Sequence, residues 1–308
     1  MNTVDFEKQT ASALKDCPAG TTFLAAVSGG ADSMAMLTAL STVVNKEQIF
    51  CLHVEHGLRP EEESSGDAEF VRHYCKKSGI RCCIVSIPRG KIVSFAQRKG
   101  TGVEAAARLF RHRALLKEAL RQGNNTRILI AHTKDDALEL ALMRILRGAG
   151  SPGLAAMPVK KGRIIRPLLS ISRADVIDYL SEKKISWRED STNTDVVFLR
   201  NRIRQQLVPV LNDSFPSWKK GLACMGETQL LTAAFLVKEA QTRVCWKTRK
   251  SSAQKTERFP VLFTDAGNFF SQPQIIREEA LFQGIDSYSK ALMQKHRGKK
   301  HDSVKRSA

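Results

Sequence analysis

Four short apolar runs, at residues 22–27, 49–54, 81–87 and 127–130, mark the first half of the chain. Other segments carry apolar positions at helical spacing. These are 33–44, 104–121 (Ala107, Phe110, Leu115, Ala119) and 135–147 (Leu138, Leu142, Ile145). Strands separated by helices pair in parallel, through right-handed crossovers. The expected fold class is therefore α/β, a parallel sheet flanked by helices. Residues 148–158, rich in Gly, Ala and Pro, read as a loop, and 173–183 as a further helix.

A boundary is expected near Asp213, giving one domain over 1–212. A smaller, mainly helical, basic domain follows over 213–289, with helices at 225–239 and 275–283. Residues 290–308 hold seven Lys or Arg against Asp302 and read as a mobile basic tail. The chain's net charge is +18. Residues 213–308 hold 17 Lys and Arg against 9 Asp and Glu, so both halves are basic. Such a surplus calls for a polyanion, nucleic acid first and an acidic membrane surface second.

Other classes fall away. No apolar run reaches the roughly 18 residues of a membrane span. Residues 1–15 lack a signal peptide's apolar core. The seven cysteines are odd in number, irregularly spaced and without Cys-x-x-Cys, which argues against a disulfide framework or zinc ribbon. The expected setting is the reducing cytoplasm, with no membrane partner. Aromatics are 6% of residues and do not interleave with the basic runs, so single-strand stacking is unsupported. Trp187 reads as core.

The segment Ser28-Gly29-Gly30-Ala31-Asp32-Ser33 follows the first apolar run and opens a helix. Two glycines free the backbone so that N–H groups can converge on an anion. The helix N-terminus adds unpaired donors and partial positive charge. Asp32 would repel a phosphate unless a shared Mg²⁺ lies between them. The plain alternative is an ordinary turn with Asp32 as a cap. Neither the Gly-x-x-x-x-Gly-Lys-Ser/Thr loop nor Gly-x-Gly-x-x-Gly is present.

This hexapeptide resembles the SGGxDS pyrophosphate-binding loop of the N-type ATP pyrophosphatase superfamily. Those enzymes cleave ATP between the α and β phosphates and adenylate an oxygen of a substrate. Further motifs follow in order: His53-Val54-Glu55-His56-Gly57-Leu58-Arg59, Glu104-Ala105-Ala106-Ala107-Arg108 leading to Arg111, and Ala131-His132-Thr133-Lys134-Asp135-Asp136 leading to Glu139. Then come Leu146-Arg147-Gly148-Ala149-Gly150, Arg166-Pro167-Leu168-Leu169, Glu189-Asp190-Ser191-Thr192-Asn193 and Arg200-Asn201-Arg202-Ile203-Arg204. Together they resemble the tRNA(Ile)-lysidine synthases over roughly residues 20–212. Residues 213–285 are more weakly similar to that family's first C-terminal domain, and a further C-terminal domain of some members has no expected counterpart.

The resemblance implies a Rossmann-like sheet of the adenine nucleotide α-hydrolase type. It implies ATP and Mg²⁺ as cofactors, and as partners L-lysine and an isoleucine tRNA with a CAU anticodon. The wobble cytidine would be adenylated, and the lysine ε-amine would then displace AMP. A homodimer is a further possibility, since many relatives pair.

Ser28, Gly29, Gly30, Ala31, Asp32, Ser33, His53, His56 and His132 are the candidate nucleotide residues, with Asp32 also a candidate Mg²⁺ ligand. Asp32, Arg108, Asp135, Asp136 and Glu139 are the candidate catalytic residues. Glu139 shares a helix face with Asp135 or Asp136; helix capping is the plain alternative for the aspartates. Ala137 and Leu140 depart from the family's usual DDQxET. Arg108 and Arg111 share a face and suit a cytidine or a phosphate. Arg111, Arg147, Arg200, Arg202 and Arg204 are candidate tRNA contacts; for Arg147, Arg166, Arg200, Arg202 and Arg204 an internal salt bridge is equally open. The competing functions are tRNA thiolation, GMP or NAD synthesis, and non-catalytic RNA binding on a relic nucleotide fold. Thiolation generally needs a cysteine pair or iron–sulfur site, so the missing Cys-x-x-Cys counts against it. The retained acids count against a relic.

Overall fold

The computed structural model describes residues 1–58, 61–189, 199–249 and 261–304. Arg59 and Asp190-Ser191-Thr192-Asn193 lie outside the described residues. The helices are α1 (Thr3–Leu14), α2 (Ala31–Val43), α3 (Glu61–Ser78), α4 (Lys91–Lys99), α5 (Val103–Gln122), α6 (Lys134–Leu146), α7 (Ser151–Leu154), α8 (Arg173–Glu182), α9 (Leu199–Arg202), α10 (Val208–Ser214), α11 (Trp218–Arg243), α12 (Ala266–Ser271) and α13 (Gln274–Val304). The strands are β1 (Thr22–Ala26), β2 (Ile49–Glu55), β3 (Arg81–Ser86), β4 (Thr126–Ile130), β5 (Lys160–Lys161), β6 (Ile164–Ile165), β7 (Lys247–Arg249) and β8 (Val261–Phe263). All four strands expected from sequence are present.

Six strands form one sheet in the order β3-β2-β1-β4-β6-β5. Ala25 of β1 lies beside Cys51 of β2 on one side and Leu129 of β4 on the other, both in parallel. Only β5, a two-residue hairpin partner of β6, runs antiparallel. The order therefore reverses between β1 and β4. In open α/β sheets the crevice beyond such a reversal, at the strands' carboxyl ends, is where ligands bind.

Alternation along β1 builds two cores. Phe23, Ala25 and Val27 pack into a cluster with α2 (Met34, Leu37, Leu40) and with Val71 of α3 and Tyr179 of α8. Leu24 faces the other way, against Leu52, Ile128, and Leu115 and Ala119 of α5. Each fully buried leucine contributes about 1.5–3 kcal/mol. Helix α2 is buried nearly all round, which explains its apolar sequence. Phe6 of α1 stacks on Tyr179 at 4.0 Å. Trp187 packs on the first core, as expected.

The chain divides into two compact units, Met1–Arg147 with Met157–Leu222, and Gly148–Ala156 with Ala223–Ala308. The first unit thus runs past Asp213, because α10 packs on the π-helical turn Ile203–Leu207. The segment 148–158, read as loop, holds the short α7. In the second unit Leu236, Ala240, Val244, Ile276 and Ala280 form the core. Trp246 Nε1 donates to Ala280 O at 2.9 Å. Residues 290–304, read as a mobile tail, instead continue α13. Lys, Arg, Gln, Ala and Leu there are good helix formers and no proline intervenes.

Candidate active site

The glycine loop begins where β1 ends. Gly29 has φ +95°, a left-handed backbone that favours glycine. Ser33 Oγ organises the turn: it accepts from Ser28 N at 3.1 Å and Gly29 N at 3.2 Å, and donates to Gly30 O at 2.9 Å. Gly30 N donates to Ser28 Oγ at 3.3 Å. Gly30 caps α2 in an extended conformation, leaving Ala31, Asp32 and Ser33 in the first turn, where helix N–H groups have no intrahelical partner. From behind, Arg188 N donates to Gly29 O at 3.0 Å and Arg188 Nε to Asp67 Oδ1 at 3.0 Å.

Asp32 projects from that first turn. Its Oδ2 pairs with Arg173 of α8. Its Oδ1 is buried without a hydrogen-bond partner. Burial pushes its carboxyl up to about 6; Arg173 opposes that shift and neighbouring Asp136 adds to it. A buried carboxylate oxygen with no donor, close to a second carboxylate, fits a hard divalent cation.

The acids of α6 stand beyond β4. Thr133 caps the helix in a capping box: Thr133 N donates to Asp136 Oδ2 at 2.8 Å and Asp136 N to Thr133 Oγ1 at 3.3 Å. Capping and cluster are therefore both true of Asp136, through its two oxygens. Asp136 Oδ1 accepts from Arg200. Glu139, 5% exposed, accepts from Arg204 Nε at 2.7 Å, Arg204 Nη2 at 3.0 Å and Arg200 Nε at 2.9 Å. Asp135 Oδ2 accepts from Arg173 N at 2.7 Å.

His53 is buried on β2, and its Nδ1 lies 2.9 Å from Val27 O. Burial lowers its pKa. Its place is a brace between β2 and the end of β1. His56 follows β2, just before Gly57, where a Cβ would lie 2.8 Å from Ile87 O. His132 follows β4; its Nδ1 accepts from Arg166 Nε at 3.1 Å. Burial pushes its pKa down to about 4, with nearby Arg166, Arg108 and Arg200 working the same way against Asp136. His132 is neutral at pH 7.

Salt bridging thus holds for Arg200 and Arg204, which narrows their assignment to tRNA: carboxylates already engage both. Arg166 is likewise internal, donating to His132 and to Pro158 O at 2.8 Å. Arg147, Arg202 and Arg108 are exposed. Arg111 is half-buried, and burial lowers its pKa, with Arg108 and Arg200 adding to the effect. Arg173, which touches both acid groups, carries no site signal in the sequence beyond opening a helix. A cation in the first turn opposes the helix dipole, and that misfit was the available signal.

An open parallel sheet reversing beside a glycine loop and facing carboxylates defines a nucleotide-binding α/β protein. The chain belongs to the PP-loop domain family, whose model matches residues 2–211. It is 45% identical over 202 residues to a tRNA(Ile)-lysidine synthase of Treponema denticola, covering 65% of this chain and 43% of that one. It is 35% identical over 222 residues to that of Bacillus subtilis, covering 70% and 46%. The chain therefore spans less than half the length of these curated relatives. Among solved structures, the U34-tRNA thiolase NcsA of Methanococcus maripaludis shares the fold, with a TM-score of 0.60 and 16% identity over 74% of this chain and 79% of that one. Among the described residues, no helix is long and apolar enough to cross a membrane.

Proposed function

We propose that this chain carries out lysidine synthesis: ATP-dependent attachment of L-lysine to the wobble cytidine of a CAU-anticodon isoleucine tRNA, in the cytoplasm. The observation carrying this reading is the meeting of Asp32 and Asp136 across the reversal of the sheet, beside the glycine loop. The loop and the first-turn N–H groups of α2 receive the phosphates of ATP. Asp32, with its unpartnered Oδ1, would hold Mg²⁺, which would supply charge neutralisation for the leaving pyrophosphate. The cytidine carbonyl oxygen attacks the α-phosphorus and pyrophosphate leaves. Lysine Nε then attacks the adenylated carbon and AMP leaves.

The lysine amine must lose its proton before it attacks. Asp135, Asp136 and Glu139 attract the ammonium and accept that proton. Arg200 and Arg204 occupy the same oxygens, so lysine enters by displacing or sharing them. Neutral His132 and the half-buried Arg111 suit the nucleobase and a phosphate oxygen; Arg108 suits the cytidine. Arg147 and Arg202 face solvent, where they suit the tRNA backbone, which positions rather than specifies. A homodimer is compatible with this reading.

The test is incorporation of radiolabelled lysine into total bacterial tRNA with and without ATP and Mg²⁺. Label in a CAU-anticodon isoleucine tRNA, dependent on ATP and accompanied by AMP, supports the reading. Splitting of ATP to AMP and pyrophosphate without label moves it to another nucleophile or base.

A further inference from the structure

Away from the carboxylates, three sulfur atoms come together. The Sγ atoms of Cys51 on β2, Cys75 on α3 and Cys82 on β3 lie within 4.8 Å of one another. The topology causes this. Cys51 and Cys82 are register partners in the parallel β2–β3 pair, so their side chains leave the sheet on one face. Helix α3 covers that face, presenting Val71 and, one turn on, Cys75. Cys51 and Cys75 are fully buried and Cys82 partly exposed, which leaves a way in. Cys83, the next residue, packs on the opposite core.

Buried thiols often serve only as small apolar fillers. These three also lie close enough together to meet one ion. Hydrogen bonds with Cys51 and Cys75 draw the Cys82 thiol well below its usual range, and nearby Arg72 adds positive charge. Hydrogen bonds to Cys75 and Cys82, then burial, push Cys51 well up. For Cys75 the Cys51 contact pulls down, but the Cys82 contact and burial prevail and push it up to about 12.

We propose that Cys51, Cys75 and Cys82 form a trigonal thiolate site for a soft monovalent cation, copper(I). Soft sulfur ligands select such an ion over magnesium. Three sulfurs each about 2.3 Å from a central ion would lie about 4 Å apart, inside the 4.8 Å within which all three sulfurs lie. Zinc wants a fourth ligand, and among the described residues no fourth ligand atom joins the three. As each sulfur–metal bond forms, the thiol involved passes its proton to solvent, and no electron is transferred. The ion would fasten α3 to the sheet. The same helix carries Phe70 and Val71 against Gly29, and Asp67 against Arg188.

The reduced protein is titrated anaerobically with copper(I) in competition with bathocuproine disulfonate. One ion per chain, with a thiolate-to-copper absorption band, is expected. Cys75→Ser and Cys82→Ser should each lower affinity on the order of 100-fold, the upper end for outer-shell partners and a floor for a ligand. Cys224→Ser with Cys245→Ser, at exposed positions, should leave it unchanged. Equal retention by the Cys75 and Cys82 variants, or loss in the Cys224 and Cys245 variant, overturns the assignment. X-ray absorption on the unmutated protein needs no variant to fold: three sulfur neighbours are expected, and any other number refutes the site.

Discussion

Arg204 meets Glu139 fork to fork, Nε to Oε1 at 2.7 Å and Nη2 to Oε2 at 3.0 Å. Arg200 completes the arrangement from the same turn of chain, reaching both Glu139 and Asp136. Replacing both arginines by alanine leaves Glu139 as a buried carboxylate without its cations. A loss of about 3–5 kcal/mol in urea unfolding is expected. Arg204→Lys keeps the charge but loses the fork, and should cost about 1 kcal/mol. A double variant as stable as the parent would show that the pairs contribute nothing.

Asp32 predicts a pH signature. Its carboxyl titrates near 6 in the folded chain against 3.8 in an unfolded one. Between those values the native state holds a proton that the unfolded state has lost, so this group's contribution to stability falls as pH rises. Above the window, ionised Asp32 costs on the order of 2–3 kcal/mol. Asp32→Asn should therefore be more stable than the parent at pH 7 and match it near the acid end, while ATP cleavage is lost and tRNA binding survives. Parallel stability curves for the two proteins would contradict the buried-carboxylate account, and lost tRNA binding in a folded variant would contradict the assigned role.

His132 predicts the opposite slope. Its folded pKa of about 4 lies below the ordinary 6.5. Its contribution is fully present above 6.5 and is lost as pH falls through 4. Arg166→Met removes one positive neighbour and the donor to Nδ1, so the imidazole pKa should rise while remaining depressed by burial. Proton NMR of the His132 ring reads this directly; an unmoved titration midpoint would dismiss the Arg166 contribution.

Gly29→Ala tests the loop. A Cβ there finds only ordinary contacts, 3.6 Å from Val71 and 3.7 Å from Phe70. The penalty is therefore conformational, about 1–2 kcal/mol for a left-handed residue with a side chain. ATP affinity should drop with it, read by tRNA-dependent pyrophosphate release at varied ATP. Unchanged ATP dependence would remove the loop from the nucleotide site.

The parts of the fold legible in sequence were those with short-range signatures. The apolar runs of β1 to β4, the glycine turn into α2 and the acid-rich start of α6 each lie within one local segment. Helix α3 has only a faint sequence signature because its segment is mostly polar and includes Gly66, with Ala68, Val71 and Cys75 as its apolar stripe. The candidate site was legible as a set of residue types but not as a set of pairs. Arg173 reaches Asp32 across 141 residues and Arg200 reaches Asp136 across 64. No local periodicity encodes those meetings, which chain topology alone brings about.

Ala156 donates its N–H to Gly226 O at 2.9 Å, a bond inside the second unit. During translation the two residues leave the ribosome roughly 70 positions apart. At about 5–20 residues per second, the first waits several seconds for its partner. All six strands of the large sheet have been synthesised by Ile165, so that sheet can assemble while the smaller unit is still missing most of its chain. Gly148–Ala156 must spend that interval without its eventual neighbours. Its small side chains, with Leu154 the single large apolar residue, make it a poor competitor for the core forming on either side of it.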